Sequence, residues 1–268
     1  MRVKISFKGS RLKLKRAYKH IGELEAWVAG LMRANIDAAR AFKAGNPGGS
    51  HAQIAVIRPV GFSEDAAPIV GDVVHNLRAA LDLAASAIVT AGNEDPIETY
   101  FPLGDTRDNI IKHGSYLQIE RLAPNLANLI VDHIKPYKAE NYPLWALNRL
   151  DRKDKHRVLV PTITRSMHLV IGIREEQEND PPSAPPGAIF ALGGETLADG
   201  TVVSVPRQPR PGTKAHAHNQ QNGFAMVDIS FGKGEVFEGE FIIPKLRELA
   251  ELVTGIIDTL EAHCLGDG

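Results

Sequence analysis

The sequence predicts an α+β fold: a helical bundle with an inserted antiparallel β region and an amphipathic C-terminal helix. Three observations carry this. Long segments with apolar residues every three or four positions fill most of the first 160 residues. Between 165 and 244 the pattern becomes short alternating runs broken by proline and glycine. The stretch IPKLRELAELVTGIIDTLEAHC then returns to helical spacing, with Leu246, Leu249, Val253, Ile256 and Leu260 along one side. That last stripe needs cover, and the N-terminal bundle is its natural partner. The expected organisation is therefore a single domain over 1–268. It has a helical core at 14–160 plus 243–264 and a β-rich insertion at 165–244.

In chain order, RVKISF at 2–7 alternates like a strand. From about 15 to 43 the apolar residues Ile21, Leu24, Val28, Leu31, Ala38 and Phe42 mark one face of a helix, which Asn46-Pro47-Gly48-Gly49 stops. HAQIAVIRPV (51–60) is a second strand candidate, placed to pair with the first. A second long helix runs over about 66–90, with Val70, Val74, Leu77, Leu81, Ala84 and Ile88 on its main core face. It is apolar on nearly all sides, as a buried helix is. Helical segments follow near 107–136 and 142–157. After Pro161 come MHLVIGIRE, AIFALGG, TVVSVP, FAMVDISF and EVFEGEFIIP as strand candidates, with turns at Ala198-Asp199-Gly200 and Gly232-Lys233-Gly234. A proline-rich connector (179–187) and a polar loop (206–223) interrupt them.

Composition narrows the class. The net charge is −1, so any anion-binding surface must be a local patch. The single cysteine, Cys264, leaves no disulfide framework and no thiolate zinc cage, which points to a reducing, cytoplasmic setting. The basic N-terminus lacks the apolar run of a secretory signal. No segment reaches the roughly 18 apolar residues of a membrane span.

The densest polar stretch is LNRLDRKDKHRVLV, 147–160. On a helix Trp145, Arg149, Arg152 and His156 fall on one line. Two guanidinium groups and an imidazole on one face suit phosphate chemistry. Arginine offers a fixed fork of donors, and histidine moves protons near neutral pH. A second polar stripe lies on GDVVHNLRAALD, where Asp72, His75 and Asp82 share a side, flanked by Asn76 and Arg78. Arg78 and Asp82, four apart, are placed for an ion pair. Because the rest of that helix reads as buried, the stripe is expected to meet the cations of 149–156. The result is either a structural ion-pair network or a shared pocket of Asp72, His75, Asn76, Arg78, Asp82, Arg149, Arg152 and His156. Trp27 and Trp145 read as core or interface anchors.

Three Arg-x(4–6)-His spacings occur, at 107–113, 149–156 and 210–216, about as many as composition alone generates. Only 149–156 lies in a helix with other cations on the same line. This spacing resembles the Arg-x(4–6)-His motif of the HEPN superfamily, helical-bundle proteins that include many RNase toxins. Leu150 stands where that superfamily often has a polar residue, and the β insertion is not part of its minimal bundle. The resemblance implies Arg149 and His156 as catalytic residues, RNA as partner, a homodimeric composite site, no metal or other cofactor, and a toxin or defence role. GDVVHNLRAALDLAASAI (71–88) and PLWALNRLDRKDKHRVLV (143–160) are also similar to a family of uncharacterised bacterial proteins of actinobacterial type, to which no activity attaches.

Two alternatives stand beside the ribonuclease reading. One is a non-enzymatic binding or assembly module with a structural polar helix pair, whose C-terminal cations complement the helix dipole. The other is a metal-dependent hydrolase using His75, His156 and Asp72 or Asp82. His216 and His218 in the polar loop suggest no more than adventitious metal binding.

Overall fold

The computed structural model of the chain describes residues 5–45, 51–55, 62–96, 98–154, 161–166, 171–173, 188–190, 202–206 and 226–266. Helices dominate them. In order come α1 (Lys8–Gly45), β1 (His51–Ala55), α2 (Phe62–Ala91), α3 (Arg107–Ile111), α4 (Gly114–Leu122), α5 (Pro124–Asn128), a π-helical turn (Leu129–Ile134) and α6 (Tyr142–Asp154). Then follow β2 (Pro161–Ser166), β3 (Ile171–Ile173), β4 (Ala188–Phe190), β5 (Val202–Pro206), β6 (Met226–Phe231) and α7 (Ile242–Gly266). Among the described residues no helix is long and apolar enough to cross a membrane.

The chain divides into two compact units. The first comprises Met1–Glu25, Ser63–Thr162 and Ser230–Gly268; the second comprises Ala26–Phe62 and Ile163–Ile229. The first unit is a helical bundle centred on α2. Val70, Val73, Val74, Leu77, Ala80, Leu81, Ala84, Ala85 and Val89 are all buried, so α2 is covered on most of its circumference. Among residues 66–91 a strip holding Pro68, Asp72, His75, Leu83 and Thr90 is exposed. Truncating the centre of this helix should be costly. Leu77→Ala is expected to lower the unfolding free energy by about 2–5 kcal/mol, because a packed site collapses only partly around the lost atoms. Urea unfolding measures it.

α7 lies antiparallel to the first half of α1. Arg11 meets Asp258 and Glu261, Tyr18 meets Thr254, and Glu25 meets Arg247, so rising numbers on one helix pair with falling numbers on the other. These pairs are at the surface and add little individually, about 0–1 kcal/mol each. The attachment rests on the apolar stripe: Leu246, Leu249, Val253, Ile256 and Leu260 are buried against the bundle, with Ala250 and Ile257 beside them.

α6 packs antiparallel to α2 in the same way. Asp154 lies against Gly71, Asp151 against His75 and Asn148 against Arg78. Gly71 permits the approach: a Cβ there would sit 2.5–2.6 Å from the Asp154 carboxylate oxygens.

The strands form two-stranded ladders. In the second unit β1 pairs antiparallel with β5, from His51↔Pro206 to Ala55↔Val202, and β3 pairs antiparallel with β4, from Ile171↔Phe190 to Ile173↔Ala188. β2 and β6 form a third pair.

Several expectations are corrected. Residues 5–7 are not a strand. The Phe7 carbonyl accepts the first helical bond from the Arg11 amide, and the buried Phe7 ring joins the core, so the helix starts at Lys8. Residues 2–4 lie outside the described set. The partner of 51–55 is β5, not the N-terminal segment. EVFEGEFIIP is not a strand either. Residues 235–241 fold into turns tied by single bridges, Phe231↔Glu238 and Ser230↔Phe241, and Ile242–Pro244 already open α7. The turn at 232–234 stands where expected, and Gly234 takes φ +81°, a conformation that favours glycine. The helical stretch 107–136 is broken into three short α-helices and the π-helical turn.

Candidate functional site

The polar stripe of α2 and the inner edge of α6 build the site. On α6 the residues Leu144, Leu147 and Leu150 make the buried seam, and Asn148 and Asp151 border it. That position turns them toward α2. Arg149 and Arg152 lie on the exposed face. The cations expected to meet the α2 stripe thus face outward, and an amide and a carboxylate take their place. His156 lies outside the described residues, as does Lys155.

Two groupings result. In the first, His75 Nδ1 lies 3.1 Å from Asp151 Oδ1. The carboxylate is 3% exposed and the imidazole 52% exposed. A buried anion thus holds one ring nitrogen, which fixes the tautomer and orientation, while the ring itself reaches solvent. This is the arrangement of a positioned proton-transfer group.

The second grouping is interior. Arg78 uses every face of its guanidinium: Nη1 meets the Asp82 carboxylate, Nε donates to Asn148 Oδ1 at 3.2 Å, and Nη2 donates to the Phe101 carbonyl at 3.1 Å. Asp82 Oδ1 also accepts from the Phe101 amide at 2.8 Å. One ion pair therefore ties α2, α6 and the loop before α3 together. Burial pushes the Asp82 carboxyl above its ordinary range, and the charge of Asp151 adds to that. The Arg78 charge and the two hydrogen bonds oppose the rise without cancelling it.

Asn76 plays a local part. It is buried, and its amide donates to the Asp72 main-chain carbonyl at 2.7 Å. Asp72 itself is exposed. Of the expected pocket residues, then, Arg78 and Asp82 are brought together directly, His75 is held by a residue outside that set, and Arg149 and Arg152 stand apart on the outer face.

His113, part of the 107–113 spacing, joins this region. It caps α4, its Nδ1 accepting from the Ser115 amide at 3.3 Å. Burial lowers its pKa below the ordinary 6.5, and the nearby Arg78 charge lowers it further, against a smaller opposing effect of Asp82. The neutral form is thus favoured by the fold. The stability it contributes is complete above pH 6.5 and is lost as pH falls from there through the folded value. Wild type should therefore lose more stability between about pH 7.5 and 5.5 than His113→Asn, which keeps a capping acceptor but does not titrate. Denaturant midpoints at the two pH values check this. Arg107, the other end of that spacing, pairs instead with Asp132 at 3.1 Å.

Asp151, Asn148, His113 and the Phe101 main chain were not selected by sequence reasoning as site residues. A usable signal existed for Asp151: it follows Leu147 by four and Leu144 by seven, which places it on the apolar seam. Phe101 carried none, since its role is carried by main-chain atoms. Among the described residues no three His, Cys, Asp or Glu side chains group to hold a metal ion. No family model, no curated protein and no solved structure matches this chain.

Proposed function

We propose that the α2–α6 pair carries a metal-independent site that binds and cleaves single-stranded RNA. The observation that carries this reading is the half-exposed His75 held at Nδ1 by the buried carboxylate of Asp151. A second support is the row of exposed cations on the same helix as Asp151, Arg149 and Arg152. In the proposed reaction an imidazole takes the proton of a 2′-hydroxyl, and that oxygen attacks the adjacent phosphorus. The bond to the 5′-oxygen breaks, and a protonated group supplies the leaving oxygen with its proton. Arg149 and Arg152 hold the charge that builds on the phosphorane. His75 and His156 share the proton transfers, and Asp151 positions His75.

The same proposal includes the HEPN-like relationship, a homodimer whose paired sites face one strand, a cytoplasmic toxin or defence role, and the β segments acting together as one inserted antiparallel region. A second reading, a non-enzymatic binding or assembly module, is favoured by one feature. Arg78, the most buried cation of the site, spends one donor of each guanidinium nitrogen within the protein.

The two separate by assay. Purified protein with a labelled single-stranded RNA in excess EDTA should yield cleavage that Arg149→Ala and His75→Ala abolish while circular dichroism stays unchanged. Folded wild-type protein that leaves the RNA intact would favour the binding module.

A further inference from the structure

Trp145 is not a core anchor. It is half-buried on the outer face of α6, and its indole N–H donates to Asp105 Oδ1 at 2.6 Å. That bond pins the ring by its edge. Tyr142 stands beside it, ring centres 5.4 Å apart at 34°, and is itself fixed by a hydrogen bond from its hydroxyl to the Val236 carbonyl at 2.8 Å. Tyr142 is 40% exposed. Two cations lie over the indole: Lys138 Nζ at 4.7 Å and Arg149 Cζ at 5.8 Å from its centre. Arg149 reaches the ring because a helical side chain leans toward the residue four before it.

We infer that Trp145, Tyr142, Lys138 and Arg149 form a docking platform for one or two unpaired bases of a single-stranded RNA and their flanking phosphates. The inference rests on the RNA reading proposed above and adds the subsite to it. The geometry has the parts such recognition needs: aromatic rings held by hydrogen bonds at their polar edges, and cations beside them. The nearby acid, Asp105, keeps its charge while accepting from the indole N–H, and the two cations over the ring, Lys138 and Arg149, outnumber it. Lys138 and Arg152 are also exposed, and both belong to the same unit as the ring.

Binding is an exchange. A surface cation–aromatic contact is weaker than a stacked base. A lysine or arginine can therefore swing from the ring to a phosphate while the base takes the vacated face. Arg149 then links the platform to the scissile phosphate, since it lies over the indole and the proposed reaction assigns it to the phosphorane. A base-paired strand has no free base faces, so the platform selects unpaired RNA.

The test is fluorescence anisotropy of a labelled 12-nucleotide oligouridylate with the full chain. Trp145→Leu, which keeps an apolar side chain on α6, is expected to weaken binding at least tenfold. Lys138→Ala, an exposed change with no core role, is expected to lower the slope of log affinity against log salt by about 0.7, the value for one phosphate contact on a single strand. In Trp27→Phe protein, whose remaining tryptophan is Trp145, emission should be quenched on binding. If the wild type binds and cleaves RNA while Trp145→Leu and Lys138→Ala do so equally well, the platform is wrong and the RNA reading stands. If the folded wild type binds no RNA, both fall.

Discussion

Replacing Arg78 with methionine is expected to lower the unfolding free energy by about 3–5 kcal/mol, the usual cost of removing one partner from a buried charge pair. The effect is large because the loss is distributed. Asp82 would keep a carboxylate that is only 25% exposed without its counter-charge, Asn148 would lose a donor, and the Phe101 carbonyl would be left unpaired. All three lie at the junction of α2, α6 and the 99–106 loop, so the loop should loosen as well. Asp82→Asn should cost less, since an amide oxygen still accepts from the Phe101 amide and Arg78. It also removes a pH term. The Asp82 carboxyl holds its proton to higher pH in the fold than the ordinary 3.8, so ionising it costs stability as pH rises from 3.8 through the folded value. The variant should lack that decline. Urea titrations at several pH values test both parts, and an Arg78→Met protein as stable as wild type would show that the guanidinium is not holding the helices.

The second large effect concerns chemistry rather than stability. His75→Ala and Asp151→Asn are each expected to slow RNA cleavage by about 10²–10⁴-fold, the range for losing a positioned proton-transfer group. The two should not add. If Asp151 acts by holding His75, then once the imidazole is gone the second change has little left to remove, and the double variant should be about as slow as His75→Ala alone. A purely structural Asp151 gives a different pattern, in which losses in rate follow losses in folded fraction and multiply. The defect should lie in kcat, with KM carried by the aromatic platform. Single-turnover kinetics on folded protein separates these outcomes.

The helical architecture was legible because burial writes a period into the chain. The stripes Val70–Ile88 on α2 and Leu246–Leu260 on α7 are the buried faces found in the fold. The Arg78–Asp82 pair was legible too, being local to one helix. What lay hidden depended on contacts between distant segments. β1 pairs with β5 across some 150 residues, and no local pattern encodes that register. Charge on 149–156 drew attention to the outer line of α6, whereas the helix turns Asn148 and Asp151 toward α2 because Leu144, Leu147 and Leu150 set its rotation. Phe101 entered through its main-chain amide and carbonyl, which side-chain identity does not report. Of the two readings of Trp145, core or interface anchor, the spacing could not choose; its half-burial, the Asp105 bond and the two cations over its face speak against the core.

The claim that His75, held by Asp151, moves protons during phosphodiester cleavage is tested most directly by one assay: full-length wild type and Asp151→Asn incubated in EDTA with an end-labelled single-stranded RNA, the products resolved by length and end group. The expected result is cleavage by wild type to fragments ending in a 2′,3′-cyclic phosphate, at least 100-fold slower in the variant. Intact RNA with folded wild type, or equal rates in the two proteins, would contradict it.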